Sequence, residues 1–382
     1  MNSKNIFTFF CLIILAIPSL IAQQLLNKTL LHDGLTRMYS VYIPASYQEG
    51  SAVPLLFNFH GGAGDIASQI SISDMRPIAD TAGFILVYPQ ALPDPNGGGA
   101  IAWTHKAPST VDDIFFVEAM IDSLAAEYSI AEDRVYACGY SNGGEFSFEL
   151  ACRLSHRIAA IGVVARSMFI ETFNNCAPDH PTAVVTIHGT KDDYEGIIFG
   201  GITYYPSLET VNNYWRDFNH ISTNPIISEL PNINTTDGST VAHYAWNNGD
   251  NCVSVEHFKV INGGHDWPGS FGNMDIDASL EIWNFVSRFD RNGLISCQTT
   301  SVQEAITQEQ AITIFPNPVN NFLSIEMDNM PNQAYHIYSI TGQILRSGQI
   351  DARQKTIDLS GLLPNSYILK IGPHSRRFVK ID

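Results

Sequence analysis

A serine flanked by glycines two residues away on each side is the residue best placed to act as a nucleophile. It stands in Gly139-Tyr140-Ser141-Asn142-Gly143, between a β-type run that ends at Cys138 and a helix-like run that begins at Glu145. A serine at a sharp strand-to-helix turn is held in a strained backbone conformation, and the residues two positions away must be small because the chain folds back on itself. The pattern predicts that Ser141 is a nucleophile, although an ordinary glycine-rich turn can carry the same letters.

Two later strand ends offer the partners that a nucleophilic serine needs, a base to take its proton and a carboxylate to orient the base. His265 follows two glycines after one β-type run, and Asp192 and Asp193 follow His188-Gly189-Thr190 after another. The order serine, acid, histidine is that of doubly wound hydrolases. We predict His265 as the base. The spacing leaves Asp192 and Asp193 open as the acid, and the other carboxylate is expected to cap a turn.

A glycine-rich loop after an earlier apolar run is a candidate for the oxyanion hole. Residues 54–59 lead into His60-Gly61-Gly62-Ala63, where the glycines leave backbone N–H groups accessible to a developing oxyanion. His60 and His188 also lie at strand ends. We expect both histidines to fix loops by hydrogen bonds, so that neither acts as the base.

Strands and helices alternate around these residues. The sequence predicts an edge strand at 36–43, buried strands at 54–59, 83–89, 135–138, 158–165, 183–188 and 253–261, and helices at 74–82, 113–128 and 278–289. This alternation favours an α/β fold with a mostly parallel sheet and helices on both faces. In such sheets, sites gather where strands stop and loops begin, which is where the predicted acid and base both lie.

The first 22 residues are typical of a secretory signal peptide. One lysine, Lys4, precedes a short apolar core, and small residues ending at Ala22 follow it. An uncleaved membrane anchor is the competing interpretation. No later stretch reaches the roughly 18 apolar residues that a membrane span needs.

Export makes disulfide bonds possible. The chain has six cysteines, and five remain without Cys11, so at least one thiol stays unpaired. Cys138, on the strand before the serine, is the expected buried thiol, and Cys252 with Cys297 is one possible pair. None of the cysteines has the spacing of a zinc site, and the predicted chemistry requires neither a metal nor another cofactor.

The net charge excludes one class of partner, and the composition divides the chain into segments. The formal net charge of −17 argues against a nucleic-acid partner, because a phosphate backbone would be repelled. Residues 298–311 are polar and without periodicity, and alternating segments between turn residues follow them. We therefore predict a signal peptide at 1–22, a catalytic domain at 23–297, a linker at 298–311 and a small β-sandwich at 312–382.

Five motifs, taken in order, resemble those of secreted α/β-hydrolases of the polyhydroxybutyrate depolymerase and feruloyl esterase type, in the first carbohydrate-esterase family. The resemblance covers about residues 30–295 and is carried by His60-Gly61-Gly62, Val111-Asp112-Asp113, Gly139-Tyr140-Ser141-Asn142-Gly143-Gly144, His188-Gly189-Thr190-x-Asp192 and Gly264-His265-x-Trp267-Pro268-Gly269.

What the resemblance implies is a triad of Ser141, His265 and, as the acid, Asp192. It also implies an oxyanion hole made by the backbone N–H of Asn142 and by the loop that holds Gly61 and Gly62. The family usually carries Val-Pro-Tyr after the acid, whereas this chain has Asp193-Tyr194-Glu195. That departure lies near the acyl pocket and bears on substrate preference.

The end of the chain resembles the C-terminal sorting domain of the type IX secretion system of Bacteroidetes. The residues that carry this are Phe315-Pro316-Asn317-Pro318, Tyr338-Ser339-Ile340-Thr341-Gly342 and Arg376-Arg377-Phe378-Val379-Lys380. The resemblance implies passage across the outer membrane through the type IX machinery. A carbohydrate-binding module, with Tyr335, Tyr338 and Tyr367 as a sugar-stacking face, is the rival interpretation.

These observations together predict a secreted serine esterase. Feruloyl or acetyl groups on plant cell-wall polysaccharide are the expected substrates, with Trp103 and Trp267 as walls for an aromatic or sugar group, although buried packing suits either tryptophan equally. A polyhydroxybutyrate or other polyester is the alternative substrate. A non-catalytic glycan-binding surface protein is the alternative of another class.

Overall fold

Short apolar runs build the strands of a large sheet in the computed structural model. The structure describes residues 24–94, 98–104, 111–222, 224–297, 313–326, 333–339, 344–350, 354–371 and 374–381. They divide between two compact units with the boundary after Thr299. The predicted signal peptide and linker lie outside the described residues.

The strands of the first unit are β1 (Gln24–His32), β2 (Leu35–Ile43), β3 (Val53–Phe59), β4 (Ile85–Pro89), β5 (Ile130–Tyr140), β6 (Ala160–Val164), β7 (Ala183–Gly189), β8 (Ile197–Phe199), β9 (Ile202–Tyr205), β10 (Ile226–Glu229), β11 (Thr240–Trp246), β12 (Val255–Ile261), β13 (Phe289–Asp290) and β14 (Gly293–Leu294). Its helices are α1 (Ile66–Ile72), α2 (Arg76–Ala82), α3 (Asp113–Glu127), α4 (Asn142–Arg153), α5 (Ile170–Asn175), α6 (Leu208–Phe218) and α7 (Ala278–Val286).

Ten of these strands form one sheet in the order β1-β2-β4-β3-β5-β6-β7-β12-β11-β10. The centre, from β4 to β12, is parallel. Antiparallel pairs close both edges. The prediction of an α/β-hydrolase fold with a mostly parallel sheet is confirmed, and β5, the strand before Ser141, lies near the middle.

The central strands are buried on both faces. On β3, Leu55 and Phe57 belong to one hydrophobic core and Leu56 to the other, and all three side chains are fully buried. Successive side chains of a strand point to opposite faces, so an apolar run without alternation requires cover on both sides. One core contains Phe146 of α4, and the other contains Ile282 of α7.

The two predictions made for the cysteines, a free Cys138 and a bond between Cys252 and Cys297, are confirmed. Cys252 is bonded to Cys297, and Cys138 is a buried free thiol. Burial raises the pKa of the Cys138 thiol far above its ordinary value, so it stays protonated and inert. A second bond, Cys152–Cys176, joins the end of α4 to the residue after α5.

Sequence patterns missed the segment between the acid loop and β12. It contains the hairpin β8–β9, helix α6 and the antiparallel strands β10 and β11. Across the part of the chain that the structure describes, no helix has the length and apolarity to cross a membrane.

The second unit consists of two antiparallel sheets that share one core. A three-stranded sheet runs β15-β16-β19 and a four-stranded sheet runs β18-β17-β20-β21. The strands are β15 (Thr313–Phe315), β16 (Phe322–Glu326), β17 (Gln333–Ser339), β18 (Ile344–Ile350), β19 (Gln354–Asp358), β20 (Asn365–Ile371) and β21 (His374–Lys380). Side chains of both sheets, including Leu323 and Ile337, fill the core, so the predicted all-β sandwich is confirmed.

Two of the three tyrosines proposed as a sugar-stacking face belong to this core. Tyr335 is 8% exposed and Tyr367 is 5% exposed. The Tyr367 hydroxyl donates to the backbone oxygen of Leu363. Buried rings cannot stack on a sugar, so this support for a carbohydrate-binding module is lost.

Candidate active site

The turn between β5 and α4 holds Ser141 in a strained conformation. Ser141 has φ 52° and ψ −120°, which a residue with a side chain rarely adopts. A Cβ on Gly139 would lie 2.4 Å from the backbone carbon of Gly143, and a Cβ on Gly143 would lie 2.3 Å from the oxygen of Phe59. Only glycine fits at either position, so this sharp turn requires both glycines.

The structure brings His265 to Asp192. His265 Nδ1 lies 2.7 Å from Asp192 Oδ2. Burial alone raises the pKa of the Asp192 carboxyl, but the hydrogen bond from His265 and the charge of His188 outweigh it, and the net pKa lies below the ordinary value. Because an ionised carboxylate only accepts, Nδ1 carries the proton and Nε2 remains available as a base.

Tyr140, which sequence reasoning did not assign, connects the serine turn to the histidine loop. Its hydroxyl donates to the backbone oxygen of His265 at 2.6 Å, and the two ring centroids are 5.1 Å apart. Burial, with the negative charges of Asp192 and Asp266, raises the pKa of Tyr140 to about 12, so the hydroxyl keeps its proton. The residue next to Ser141 therefore fixes the loop that carries His265.

Asp193, the other candidate acid, belongs to a different set of contacts. Arg166 Nη1 donates to Asp193 Oδ2 at 3.1 Å, and His188 Nε2 lies 2.9 Å from Asp193 Oδ1. The expectation that the second carboxylate caps a turn is wrong, since its side chain pairs with Arg166. His188 is buried within ion-pair distance of both carboxylates, but neither of its ring nitrogens makes a hydrogen bond among the described residues, so the expected loop-fixing hydrogen bonds are not seen.

Among the described residues, one group of side chains could hold a metal ion, and it belongs to the acid loop. Side-chain atoms of His188, Asp192 and Asp193 all lie within 4.8 Å of one another. Asp192 is engaged by His265 and Asp193 by Arg166, so both carboxylates already have partners within the chain. We therefore interpret these three side chains as part of the acid loop and not as a metal site.

The loop after β3 lies against the serine turn. A Cβ built on Gly61 would be 3.4 Å from Ser141 Cβ, and one on Gly62 would be 3.8 Å from Asn142 Cβ. By its position in the first turn of α4, the N–H of Asn142 has no acceptor within the helix. Ala63, in contrast, donates its N–H to the oxygen of Ile101 and is already used.

His60 fixes this loop, as expected from the sequence. Its Nδ1 lies 2.7 Å from the oxygen of Gly61, and its Nε2 accepts from the backbone N–H of Ala91 at 3.1 Å. One ring nitrogen therefore donates while the other accepts, which is the neutral imidazole. Burial lowers the pKa of His60, which also favours the neutral form.

The prediction that Trp103 and Trp267 wall a substrate pocket does not fit their burial. Each is 1% exposed. Trp267 Nε1 donates to Ser279 Oγ inside one core. Trp103 stacks on Phe146 with ring centroids 5.1 Å apart. We correct both assignments to packing.

Trp103 nevertheless acts on the site through its hydrogen bonds. Its indole N–H donates to the oxygen of His60 at 2.8 Å, and its backbone N–H donates to Asn142 Oδ1 at 2.7 Å. One residue thus connects the loop of Gly61 to the start of α4. It positions both groups that were predicted to form the oxyanion hole.

Sequence reasoning missed two places with exposed apolar side chains, one next to Tyr140 and one on the hairpin that follows the acid loop. Phe271 is 36% exposed, and its ring centroid is 6.0 Å from that of Tyr140. The hairpin β8–β9, which follows the acid loop, exposes Ile198 by 65%, Phe199 by 76% and Ile202 by 62%. Neither belongs to one of the five motifs, so the motif pattern carried no signal for either.

Comparisons with known proteins show what the chain is similar to. Residues 313–381 match the family model of the secretion system C-terminal sorting domain. A bifunctional acetylxylan esterase/xylanase of Neocallimastix patriciarum is 28% identical over 265 residues, which is 69% of this chain and 35% of that protein. Feruloyl esterase B of Piromyces equi is 26% identical over 271 residues, 66% of this chain and 45% of that protein.

A solved acetyl xylan esterase from Aspergillus awamori has 16% identity and a TM-score of 0.48, and the match covers 69% of this chain and 99% of that one. This chain spans less than half the length of the two curated relatives named above. The first unit is thus similar to proteins named acetylxylan and feruloyl esterases, and a secretion system C-terminal sorting domain is present in the second unit.

Proposed function

We propose that this chain is a secreted serine esterase that removes acyl groups from plant cell-wall polysaccharide. The observation that supports the proposal is the 2.7 Å contact between His265 and Asp192, on a loop that accepts a hydrogen bond from Tyr140, the neighbour of the strained Ser141. The names of the relatives, acetylxylan and feruloyl esterases, support the substrate class.

The reaction proceeds in two steps. His265 Nε2 takes the proton of Ser141 Oγ as that oxygen attacks the ester carbonyl, and Asp192 stabilises the imidazolium that forms. The oxyanion accepts hydrogen bonds from the N–H of Asn142 and from the loop of Gly61 and Gly62.

Breakdown of the tetrahedral intermediate completes the first step and prepares the second. His265 gives its proton to the departing sugar oxygen, and the acyl group stays on the serine as an ester. Water, deprotonated by His265, then attacks this acyl-enzyme. The acid leaves, and the serine hydroxyl is restored.

Phe271 is the aromatic contact we propose for a feruloyl group, in place of the two buried tryptophans. Its exposed ring lies next to Tyr140, which itself contacts the loop of His265. A flat acyl group bound to the serine would find an aromatic face there. An acetyl group is too small to need it.

Secretion is the third part of the proposal. The sorting domain supports export by the type IX machinery to the cell surface or medium. The apolar core of residues 6–16 supports a signal peptide at 1–22, and we keep the predicted boundaries of the catalytic domain at 23–297 and the linker at 298–311.

A polyester substrate is the second candidate, because the exposed apolar hairpin β8–β9 follows the acid loop. A hydrophobic polymer surface would cover such side chains. The same triad would cleave either ester, so the hairpin bears only on which polymer is held.

The test compares acid release from acetylated xylan, feruloylated xylan and polyhydroxybutyrate by the wild-type chain and by Ser141→Ala. We expect acetate or ferulate release that falls by about 10⁴-fold or more in the variant. Release of 3-hydroxybutyrate alone would move the polyester candidate to first place. Equal release by both proteins would exclude the serine mechanism, and no release by either would favour a glycan-binding protein without catalysis.

A further inference from the structure

A cavity lies between helix α6 and strands β11 and β12, apart from the catalytic residues. Its volume is about 290 Å³, near the lower end of the range for small-ligand sites. Glu209, Asn212 and Arg216 line it from one face of the helix, where residues three and four apart lie together. Trp246 and His257 line it from the sheet. We call this cavity the α6 pocket.

The α6 pocket shares a wall with the acid loop. Tyr194, two residues after Asp192, lines the pocket. Its ring centroid lies 6.0 Å from that of His188 and 5.7 Å from that of His257. The pocket is therefore next to the catalytic loop, although it contains none of the proposed catalytic residues.

Three buried polar atoms around the pocket have no hydrogen-bond partner among the described residues. They are Trp246 Nε1, Arg216 Nε and His257 Nε2. His257 is 2% exposed, and its other nitrogen, Nδ1, lies 2.8 Å from Thr186 Oγ1. Unsatisfied buried groups are rare and costly in native proteins, so three around one cavity indicate a polar occupant.

The charges that line the pocket cancel. Glu195 and Glu209 are opposed by Arg216 and Lys259. Burial lowers the pKa of His257 to about 3, so this histidine is neutral and adds no charge. A pocket with equal numbers of opposite charges favours a neutral ligand that carries many hydrogen-bonding groups.

Of the tyrosine and tryptophan rings that line the pocket, those of Tyr194 and Trp246 are buried, and that of Tyr244 is partly exposed. Tyr244, which is half-buried, stacks on Trp246 with ring centroids 5.9 Å apart and an angle of 20°. A pyranose ring has apolar C–H faces and hydroxyls around its edge. The ring of Tyr244 beside amide, carboxylate and guanidinium groups matches both parts of such a ligand.

We propose that the α6 pocket binds one neutral saccharide unit. This site is distinct from the esterase chemistry and stands whether or not that chemistry is correct. It binds an unesterified sugar ring against the partly exposed ring of Tyr244 and through hydroxyl contacts with Glu209, Arg216 and the indole N–H of Trp246. A polysaccharide held there would lie next to the acid loop.

The test follows the indole N–H signals of the five tryptophans by NMR. The full chain is titrated with xylotriose, cellotriose, mannotriose and, as a charged comparison, trigalacturonate, to about 10 mM. Trp246→Phe assigns the Trp246 signal and removes one hydrogen-bond donor. We expect a saturable shift of this signal with at least one neutral trisaccharide.

Two variants of α6 and one control decide whether the shift comes from the pocket. Arg216→Ala weakens binding about tenfold, and Glu209→Gln, at an exposed position that does not affect folding, weakens it about threefold. Asp217→Asn, on the same helix but outside the pocket lining, leaves binding unchanged.

Three results overturn the proposal. In the first, the Trp246 signal does not move with any neutral sugar. In the second, Arg216→Ala and Glu209→Gln bind the sugar as tightly as the wild type. In the third, only trigalacturonate moves the signal. The first result means that water alone fills the cavity. Because the sugars carry no ester, none of these results bears on the acyl-transfer reaction, which the release assay tests separately.

Discussion

The serine turn and the acid loop position their residues by different physical means. At the serine turn, the backbone passes so close to itself that Gly139 and Gly143 have no room for a Cβ. At the acid loop, two aspartates are adjacent in the sequence, and their side-chain partners decide what each does. Steric demand on a backbone leaves a mark in the sequence, whereas side-chain pairing across the fold leaves none.

Gly143→Ala tests the steric half of this comparison and should have the largest effect. A Cβ 2.3 Å from the oxygen of Phe59 forces the backbones of β3 and α4 apart, because the atom it meets is backbone and not the end of a flexible side chain. We expect a loss of about 3 kcal/mol or more in the free energy of unfolding and little soluble enzyme, measured by urea denaturation. Gly62→Ala, whose Cβ would meet nothing within 3.8 Å, should unfold like the wild type. Equal stability of the two variants would contradict the steric account.

Substitution of the two aspartates tests the pairing half. Asp192→Asn removes the acceptor of the His265 proton and should lower kcat about 10⁴-fold, since the amide favours the wrong tautomer. Asp193→Asn changes the contacts with Arg166 and His188 but leaves the contact between Asp192 and His265 in place, and its kcat should fall about tenfold or less. Steady-state kinetics with an acetate ester measure both values. A larger loss in Asp193→Asn would reassign the acid.

Trp103→Phe examines the connection between the oxyanion loop and α4. The variant keeps an aromatic ring but leaves the oxygen of His60 without its donor, so we expect kcat to fall about tenfold with little change in KM. Trp267→Phe is the matched control, because that indole is equally buried but bonds to Ser279 away from the loop. Equal losses of kcat in both variants would reduce the role of Trp103 to general packing.

Phe271→Ala tests the proposed acyl contact, which belongs to none of the sequence motifs. If the exposed ring contacts a feruloyl group, kcat/KM for a feruloyl ester should fall about tenfold and that for an acetyl ester about twofold or less. Competition between the two esters in one assay gives the ratio directly. A proportional loss for both would place the phenylalanine outside the acyl site.

The acid loop should also show in the pH dependence of stability. The pKa of Asp192 is lower in the folded chain than its usual value, so its contribution to stability is present above the unfolded pKa of about 4 and is lost as pH falls through the folded pKa. The difference in unfolding free energy between the wild type and Asp192→Asn should therefore shrink between about pH 5 and pH 2. A difference that is constant over this range would mean that the carboxyl pKa is not lowered.

Much of the fold was predictable because it depends on local patterns. Apolar runs such as 54–59 need cover on both faces, and glycines at 139 and 143 allow one backbone path. The choice between Asp192 and Asp193 was not predictable from spacing, because it depends on where Arg166 lies in the folded chain. Trp103 lies between a Pro- and Gly-rich loop and polar residues, and only the packing of Phe59 and Phe146 around it shows that it is buried.

The disulfide bond Cys252–Cys297 has a consequence for how the first unit would respond to cleavage of the chain after it. Cys297 is the last described residue of the first unit, and the bond anchors it to the turn before β12. A protease that cuts downstream of this residue creates a new chain end, and a free end would ordinarily begin to unravel. Here fraying stops at the crosslink, so α7 and the strand that leads to His265 stay in place after the cut.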